Sequence, residues 1–396
     1  MKIVYLINGM YNSAGRERVV ANKAKFLTER GHLVTIITTD QKNKPYYYKV
    51  PSSVKKVDLK INNDDYKDLS IMKKVFSFLR NDRLFRNKIK TYFTDNPQDV
   101  VVTLEDRFIP SLIQVVKDNS IIIAESHFNK FAFVDLGKSV NRNFLQRMVY
   151  SMRNMYIQKI YYNKLDAYVL LTREDFDYWE GEKSNIAVIP NSIDYNFNKQ
   201  ALLDNKIVIA VGRLSYQKGF ERLVQSWRIV HLQCPEWGLH IYGDGDDKDK
   251  LIMLITQYGL QDNIKIFHST PNIEEKLLSS SIYVLSSRFE GLPMVLLEAM
   301  SLGLPIVSYD CKTGPKDIII NGYNGYLVAE GNIRSLAERI IFLIKKEGER
   351  KRIGSNAKLH AQKYSHDVIA KQWEELFEKL IRLKNEKNNI LFKRKG

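Results

Sequence analysis

The chain has 396 residues, enough for two or three domains with real cores. Hydrophobic residues make up 44% and charged residues 27%, which excludes collagen-like, low-complexity and wholly disordered classes. Lys and Arg number 61 against 45 acids, a net +16 that invites nucleic acid, an anionic membrane or a phosphorylated small molecule as partner. The two cysteines, Cys234 and Cys311, stand outside any CxxC or zinc spacing, so a disulfide scaffold is excluded and a reducing compartment is expected. No stretch reaches the length of a membrane span, and the opening MKIVYLI is too short for a signal segment. A cytoplasmic protein is expected, peripheral on the inner face of the cell membrane if it touches one.

In chain order, KIVYLI predicts a strand, NGMYNSAGRER a loop, VVANKAKFLTERGH a helix and LVTIITT a second strand. Continuous apolar strands separated by helices specify a parallel sheet covered on both faces. The same start recurs at 206–242, with strand KIVIAVGRL, loop SYQKG, helix FERLVQSWRIVHLQ and strand LHIY. NIKIFH, SIYVLSS, PIVSYD and GYLV continue the alternation. Two doubly wound α/β units therefore lie in tandem. The polar stretch YNFNKQALLDNK marks the junction, giving an N-terminal unit at 1–198 and a C-terminal unit at 199–365. A helix at 366–383 and a basic, frayed tail complete the chain to 396.

The segment RFEGLPMVLLEAMSLGLPIVSYD at 288–310 carries the most chemistry. Pro293 fits the first position of a helix, which leaves the amides of Met294 and Val295 at an N-terminus able to hold phosphate. Glu298 falls among apolar neighbours, where an unpaired carboxylate is expensive, so it needs a hydrogen-bonding partner such as vicinal ribose hydroxyls. Glu290, in the loop before the helix, can reach what the phosphate carries. Arg213 and Lys218 follow the first strand of the second unit, at the carboxyl edge where such sheets bind ligands, and two cations there suit a diphosphate. The competing readings are a capping acid with an ordinary buried salt bridge, and solvated loop cations.

Taken together, GRL, QKG, GDG at 243–245, EGLP and the seven-residue spacing between Glu290 and Glu298 resemble the donor-binding half of retaining family 4 glycosyltransferases (glycosyl transferases group 1) of the GT-B fold. The resemblance extends over nearly the whole chain, to TGPKDIIINGYNGYLV at 313–328. It implies two Rossmann-like domains facing across a cleft, acceptor in the first and nucleotide sugar in the second. It implies that Arg213 and Lys218 contact the donor diphosphate, Glu298 the ribose and Glu290 the transferred sugar. The backbone of Gly291, Leu292, Pro293, Met294 and Val295 would then help hold phosphate and sugar. The family's glycine loop is matched only loosely by Ala14-Gly15-Arg16-Glu17-Arg18, where Gly15 is the candidate.

His127 ends the run SIIIAESH and should enter the cleft, where similar transferases have a histidine against the sugar. A structural histidine is the competing reading. Asn191 matches a common family position and equally a turn asparagine. Asp244-x-Asp246 looks like a metal-binding pair, but it belongs to a loop after a Rossmann-type strand, and cations already answer the diphosphate. No essential metal or other cofactor is expected.

Missing GxxxxGK[ST], HExxH, GxSxG and GxGxxG patterns remove support for kinase-like, metalloprotease, common hydrolase and nicotinamide readings. The densest positive stretch is 130–164, with seven cations against Asp135 and with Phe144, Met148, Met152, Met155 and Tyr156 at helical spacing. It reads either as a helix on an anionic bilayer or as one packed on the core with its cations in water. No nucleic-acid module accompanies it. The expected activity is transfer of a hexose or N-acetylhexosamine, from a UDP-sugar, to a glycan or polyprenyl-diphosphate-linked acceptor in capsule, lipopolysaccharide or exopolysaccharide assembly. A sugar-nucleotide 2-epimerase of the same fold and a non-catalytic nucleotide-sugar or membrane-binding module are the alternatives.

Overall fold

The computed structural model describes residues 1–12, 15–61, 71–104, 108–116, 120–127, 161–179, 184–193 and 198–393, without the side chains of 71–75 and 390–393. Most of the basic stretch at 130–164 therefore lies outside the described residues.

The first unit contains β1 (Lys2–Ile7), α1 (Gly15–Glu29), β2 (Leu33–Thr38), β3 (Lys55–Asp58), α2 (Ile71–Asp95), β4 (Val100–Thr103), α3 (Ile109–Val115), β5 (Ile121–Glu125), β6 (Ala167–Leu170), α4 (Arg173–Asp177) and β7 (Ile186–Val188). Its strands form one parallel sheet in the order β3-β2-β1-β4-β5-β6-β7. β1, β4 and β5 are almost fully buried apolar runs, because both faces of this sheet are covered.

The second unit contains β8 (Ile207–Val211), α5 (Phe220–Gln233), β9 (Gly238–Tyr242), α6 (Lys248–Gln257), β10 (Ile264–Phe267), α7 (Ile273–Leu278), β11 (Ile282–Leu285), α8 (Met294–Ser301), β12 (Ile306–Asp310), α9 (Pro315–Ile318), β13 (Gly325–Ala329), α10 (Ile333–Lys345) and α11 (Glu347–Ala361). Its parallel order is β10-β9-β8-β11-β12-β13. Leu223, Trp227 and Val230 of α5 interlock with Leu336, Ile340 and Leu343 of α10 on one face, while Leu296, Leu297 and Met300 of α8 fill the other.

A last helix, α12 (His366–Lys393), returns to the first unit. Ile369, Ala370, Trp373 and Phe377 enter the core built by β1, α1 and β5. The helix runs ten residues beyond the end expected from the apolar pattern. KNEKNNILFK contains no glycine or proline to stop it, and Lys384 anchors it to the carbonyl of Ser120 and, at 3.4 Å, to the Asp166 carboxylate. At the other end of the chain, α1 starts at Gly15, not at Val19, so Glu17 and Arg18 belong to a helix.

In each sheet the strand order reverses beside the first strand, at β1/β4 and at β8/β11. The crevices beyond those strand ends are where such sheets take ligands, and here they face each other.

Candidate functional site

β8 and β11 are neighbours at the switch point, and the loops leaving them carry the expected donor residues. The two loops are laced together by backbone. Arg288 N–H donates to the Gln217 carbonyl at 2.8 Å, Gln217 Nε2 donates to the Phe289 carbonyl at 3.0 Å, and Ser286 Oγ donates to the Lys218 carbonyl at 2.8 Å. This lacing requires close approach. Gly219 has φ +60, and a Cβ there would lie 2.4 Å from the Ser286 carbonyl oxygen. Gly243, at the end of β9, would bring a Cβ to 1.9 Å of the Gly212 carbonyl oxygen. The glycines of GRL, QKG and GDG are therefore packing requirements of one loop cluster.

That cluster brings Lys218 Nζ to 2.7 Å of Glu290 Oε1, which also accepts a 2.6 Å bond from Ser287 Oγ. Glu290 is 6% exposed, and its own backbone is tied to Lys312 by a 3.0 Å bond and to Thr313 Oγ1. Arg213, by contrast, stands exposed on the rim. Pro293 is the residue before α8, with ψ 97, so the helix starts at Met294 and not at the proline itself. The first backbone bonds of α8 come from Leu296 and Leu297 N–H to the Pro293 carbonyl, at 3.0 and 3.4 Å. The amides of Met294 and Val295 thus remain at an open helix end, as the sequence suggests. Gly291 and Leu292 form the turn leading into it.

Glu298, one turn into α8, is fully buried, and the carboxylate has a partner that sequence reasoning missed. Arg18 Nη2, from α1 of the first unit, reaches Glu298 Oε1 at 2.5 Å. The only sequence signal for Arg18 was its place in the AGRER stretch, which points to the cleft without naming a partner. Burial pushes the nearby Tyr48 hydroxyl up, and the charges of Arg18 and Glu298 both act on it, so this corner is shared by both units.

Across the cleft from Glu290, the chain leaves β5 through Ser126 and His127. His127, Ser126, Leu171 and Thr172 line a gap whose other wall is Gly291 and Thr313, so narrow that it leaves no room for water. His127 thus stands opposite the expected donor loop. Behind it lies Glu125, with Oε1 at 3.3 Å from His127 Nε2, a contact off hydrogen-bond alignment, and in contact with Lys23 of α1. The amides of Arg173 and Glu174 close the cleft further by donating to the Asp317 carboxylate of α9, at 2.5 and 3.2 Å.

Three expected residues stand apart from this arrangement. Gly15 begins α1 exposed, with nothing within 4 Å of where a Cβ would sit, so no close approach requires a glycine there in this structure. Asn191 is 2% exposed in the crossing between units, and its buried Oδ1 accepts no hydrogen bond among the described residues. Asp244 holds its own loop: it accepts from Ser269 Oγ at 2.5 Å, from Ser269 N–H at 3.0 Å and from His268 Nδ1 at 2.6 Å. Those bonds, Ser269 first, hold its carboxyl down at about 2.

Residues 192–360 match the glycosyl transferases group 1 family. A relative over nearly the full length is the amylovoran biosynthesis glycosyltransferase AmsD of Erwinia amylovora, 28% identical across 95% of this chain and 99% of its own. The lipopolysaccharide 1,6-galactosyltransferase of Salmonella typhimurium is 32% identical, over 47% of this chain and 49% of its own. Among solved structures, sucrose-phosphate synthase of Thermosynechococcus elongatus superposes with a TM-score of 0.79 at 18% identity, covering 96% of this chain and 99% of that one. Anabaena HepE, solved with UDP and glucose, gives 0.71 at 18%, covering 96% and 99%. The fold is GT-B, with two Rossmann-like domains.

Proposed function

We propose that the chain is a retaining glycosyltransferase of family 4 that transfers a hexose or N-acetylhexosamine from a UDP-sugar to a glycan or polyprenyl-diphosphate-linked acceptor. The observation that carries this reading is the convergence of Lys218, Glu290, Glu298 and the open end of α8 beside the β8/β11 switch point, facing His127 across the cleft. A diphosphate suits that corner: Lys218 and Arg213 supply charge, and the amides of Met294 and Val295 supply donors. Glu298 would take the ribose, with Glu290 and His127 on the sugar. The relatives named above support polysaccharide assembly as the setting.

Retention follows from attack on the side of the departing phosphate. The acceptor hydroxyl oxygen bonds to the anomeric carbon as the bond to the diphosphate breaks, and the hydroxyl proton passes to the leaving phosphate oxygen. Lys218 and Arg213 stabilise the charge left on the diphosphate. Fixed cations do here what a metal would do, so turnover should survive EDTA; loss of turnover restored by Mn²⁺ speaks against this part. The deciding assay incubates the protein with a panel of UDP-sugars, with and without polyprenyl-diphosphate-linked acceptor, and measures UDP and sugar. Acceptor-dependent UDP release with retained configuration is expected. An altered sugar without acceptor means the epimerase, and UDP binding without turnover means a binding module.

A further inference from the structure

We propose that Glu125 is the positioning residue for His127, and that Lys23 supplies the counter-charge that lets a buried carboxylate stand there. This rests on His127 facing the sugar, as proposed above.

The placement begins with strand period. Ile121, Ile123 and Glu125 alternate onto one face of β5, the face that packs on α1 and α12. An apolar residue would satisfy that face at position 125. Instead Glu125 is 1% exposed and Lys23, on the buried side of α1, is also 1% exposed. Trp373 of α12 lays its ring over the Lys23 ammonium at 4.0 Å and shuts the pair off from solvent. Tyr5 of β1 completes the surroundings, and the Glu125 charge adds to the burial that pushes its hydroxyl up.

Such a pair is a poor device for stability. Removing two charges from water costs several kcal/mol per ion, and well-packed apolar replacements are often neutral or stabilising. Burial opposes the charge on Glu125, but Lys23 first, and His127 when it carries a charge, outweigh it and hold the carboxyl at about 2. Burial pulls Lys23 down, with Glu125 partly restoring it. The carboxylate therefore persists next to His127. The same oxygen that meets Lys23, Oε1, lies 3.3 Å from His127 Nε2. A small rotation of the ring completes that bond, as contacts in an empty site often tighten on loading. With the proton held on Nε2, Nδ1 keeps a lone pair to accept a bond from a sugar hydroxyl. Glu125 would thus fix both tautomer and ring plane, acting on the reaction through His127.

The test replaces the ion pair by apolar residues of similar size, Lys23→Met with Glu125→Leu, which keeps the packing volume and removes the acceptor for His127 together with the Lys23 cation over Trp373. On the UDP-sugar that the wild type turns over, kcat/KM should fall on the order of 10- to 100-fold, the loss typical of deleting an orienting partner. The UDP dissociation constant should stay unchanged. Adding His127→Ala to that double variant should cost almost nothing more, whereas His127→Ala alone should cost as much as the double variant. Long-range ¹⁵N–¹H spectra of histidine-labelled protein, with His127 assigned by its loss in His127→Ala, should show one tautomer in the wild type and a mixture in the variant. If the double variant does not fold, Glu125→Gln takes its place, since its amide can donate as well as accept and so releases the tautomer. Wild-type kcat/KM, full additivity with His127→Ala or an unchanged tautomer in a folded variant overturns the proposal. A protein that turns over no UDP-sugar fails the functional reading alone, and the tautomer spectra still decide this one.

Discussion

Arg213 and Lys218 occupy the same loop but differ in what else they hold. Arg213 is exposed, while Lys218 neutralises the nearly buried Glu290 at 2.7 Å. Both Arg213→Ala and Lys218→Ala should lower kcat/KM for UDP release by about two to three orders of magnitude, since each removes a fixed donor from the leaving diphosphate. Their effects on stability should diverge. Arg213→Ala should leave the melting temperature unchanged, and Lys218→Ala should lower it because the nearly buried Glu290 carboxylate loses its counter-charge. Wild-type rates in both variants would remove them from the site. Glu298→Gln should weaken UDP binding about 10-fold in calorimetry, because charged acceptors bind hydroxyls more tightly than neutral ones. The need of Glu298 for a partner was legible from its apolar neighbours. That the partner is Arg18 was not, because a lone arginine after a glycine loop carries no periodicity that names what it meets.

At the scale of elements, the strands were the most legible part. KIVYLI and IVSYD stand in the sheets at the expected residues because continuous apolar runs specify strands buried on both faces. Helix ends were less so: α1 begins earlier and α12 ends later than their apolar stripes, since polar residues with good propensity extend a helix without marking its face. The loops carried a different signal. GRL reads as part of a ligand loop and GDG as a structural loop after a strand, and the structure adds that Gly212 and Gly243 touch through backbone alone. Gly243→Ala should therefore destabilise the second domain by on the order of 3 kcal/mol, as forced overpacking does, and chemical unfolding would show it. A substitution without effect on the denaturation midpoint would mean that the loop relaxes freely, and the packing account of this motif would fail.

For the whole molecule, the decisive contacts are those between domains, which no pattern within either domain announces. Arg18 grips Glu298, and the α4 amides grip Asp317. Between these ties, the space separating His127 from Gly291 and Thr313 is too tight for water, let alone a pyranose ring. If the sugar lies against His127 as proposed, it enters this gap only as the domains part, and the ties are then weaker than the gain from binding donor. The return of α12 to the first domain keeps that motion a hinge, with the crossings near Ile193 and Ser365 bridged to each other. Asp317 is the cleaner tie to cut, since it lies outside the proposed donor-binding residues. Burial pushes its carboxyl up while the Arg173 and Glu174 amides pull it back, so Asp317→Ala removes a half-buried acid along with its interdomain bonds to those amides. The variant should scatter X-rays with a larger radius of gyration than the wild type when free, and both should converge on a common value with saturating UDP-sugar. A radius of gyration that is the same in all four states would show that these ties do not govern closure.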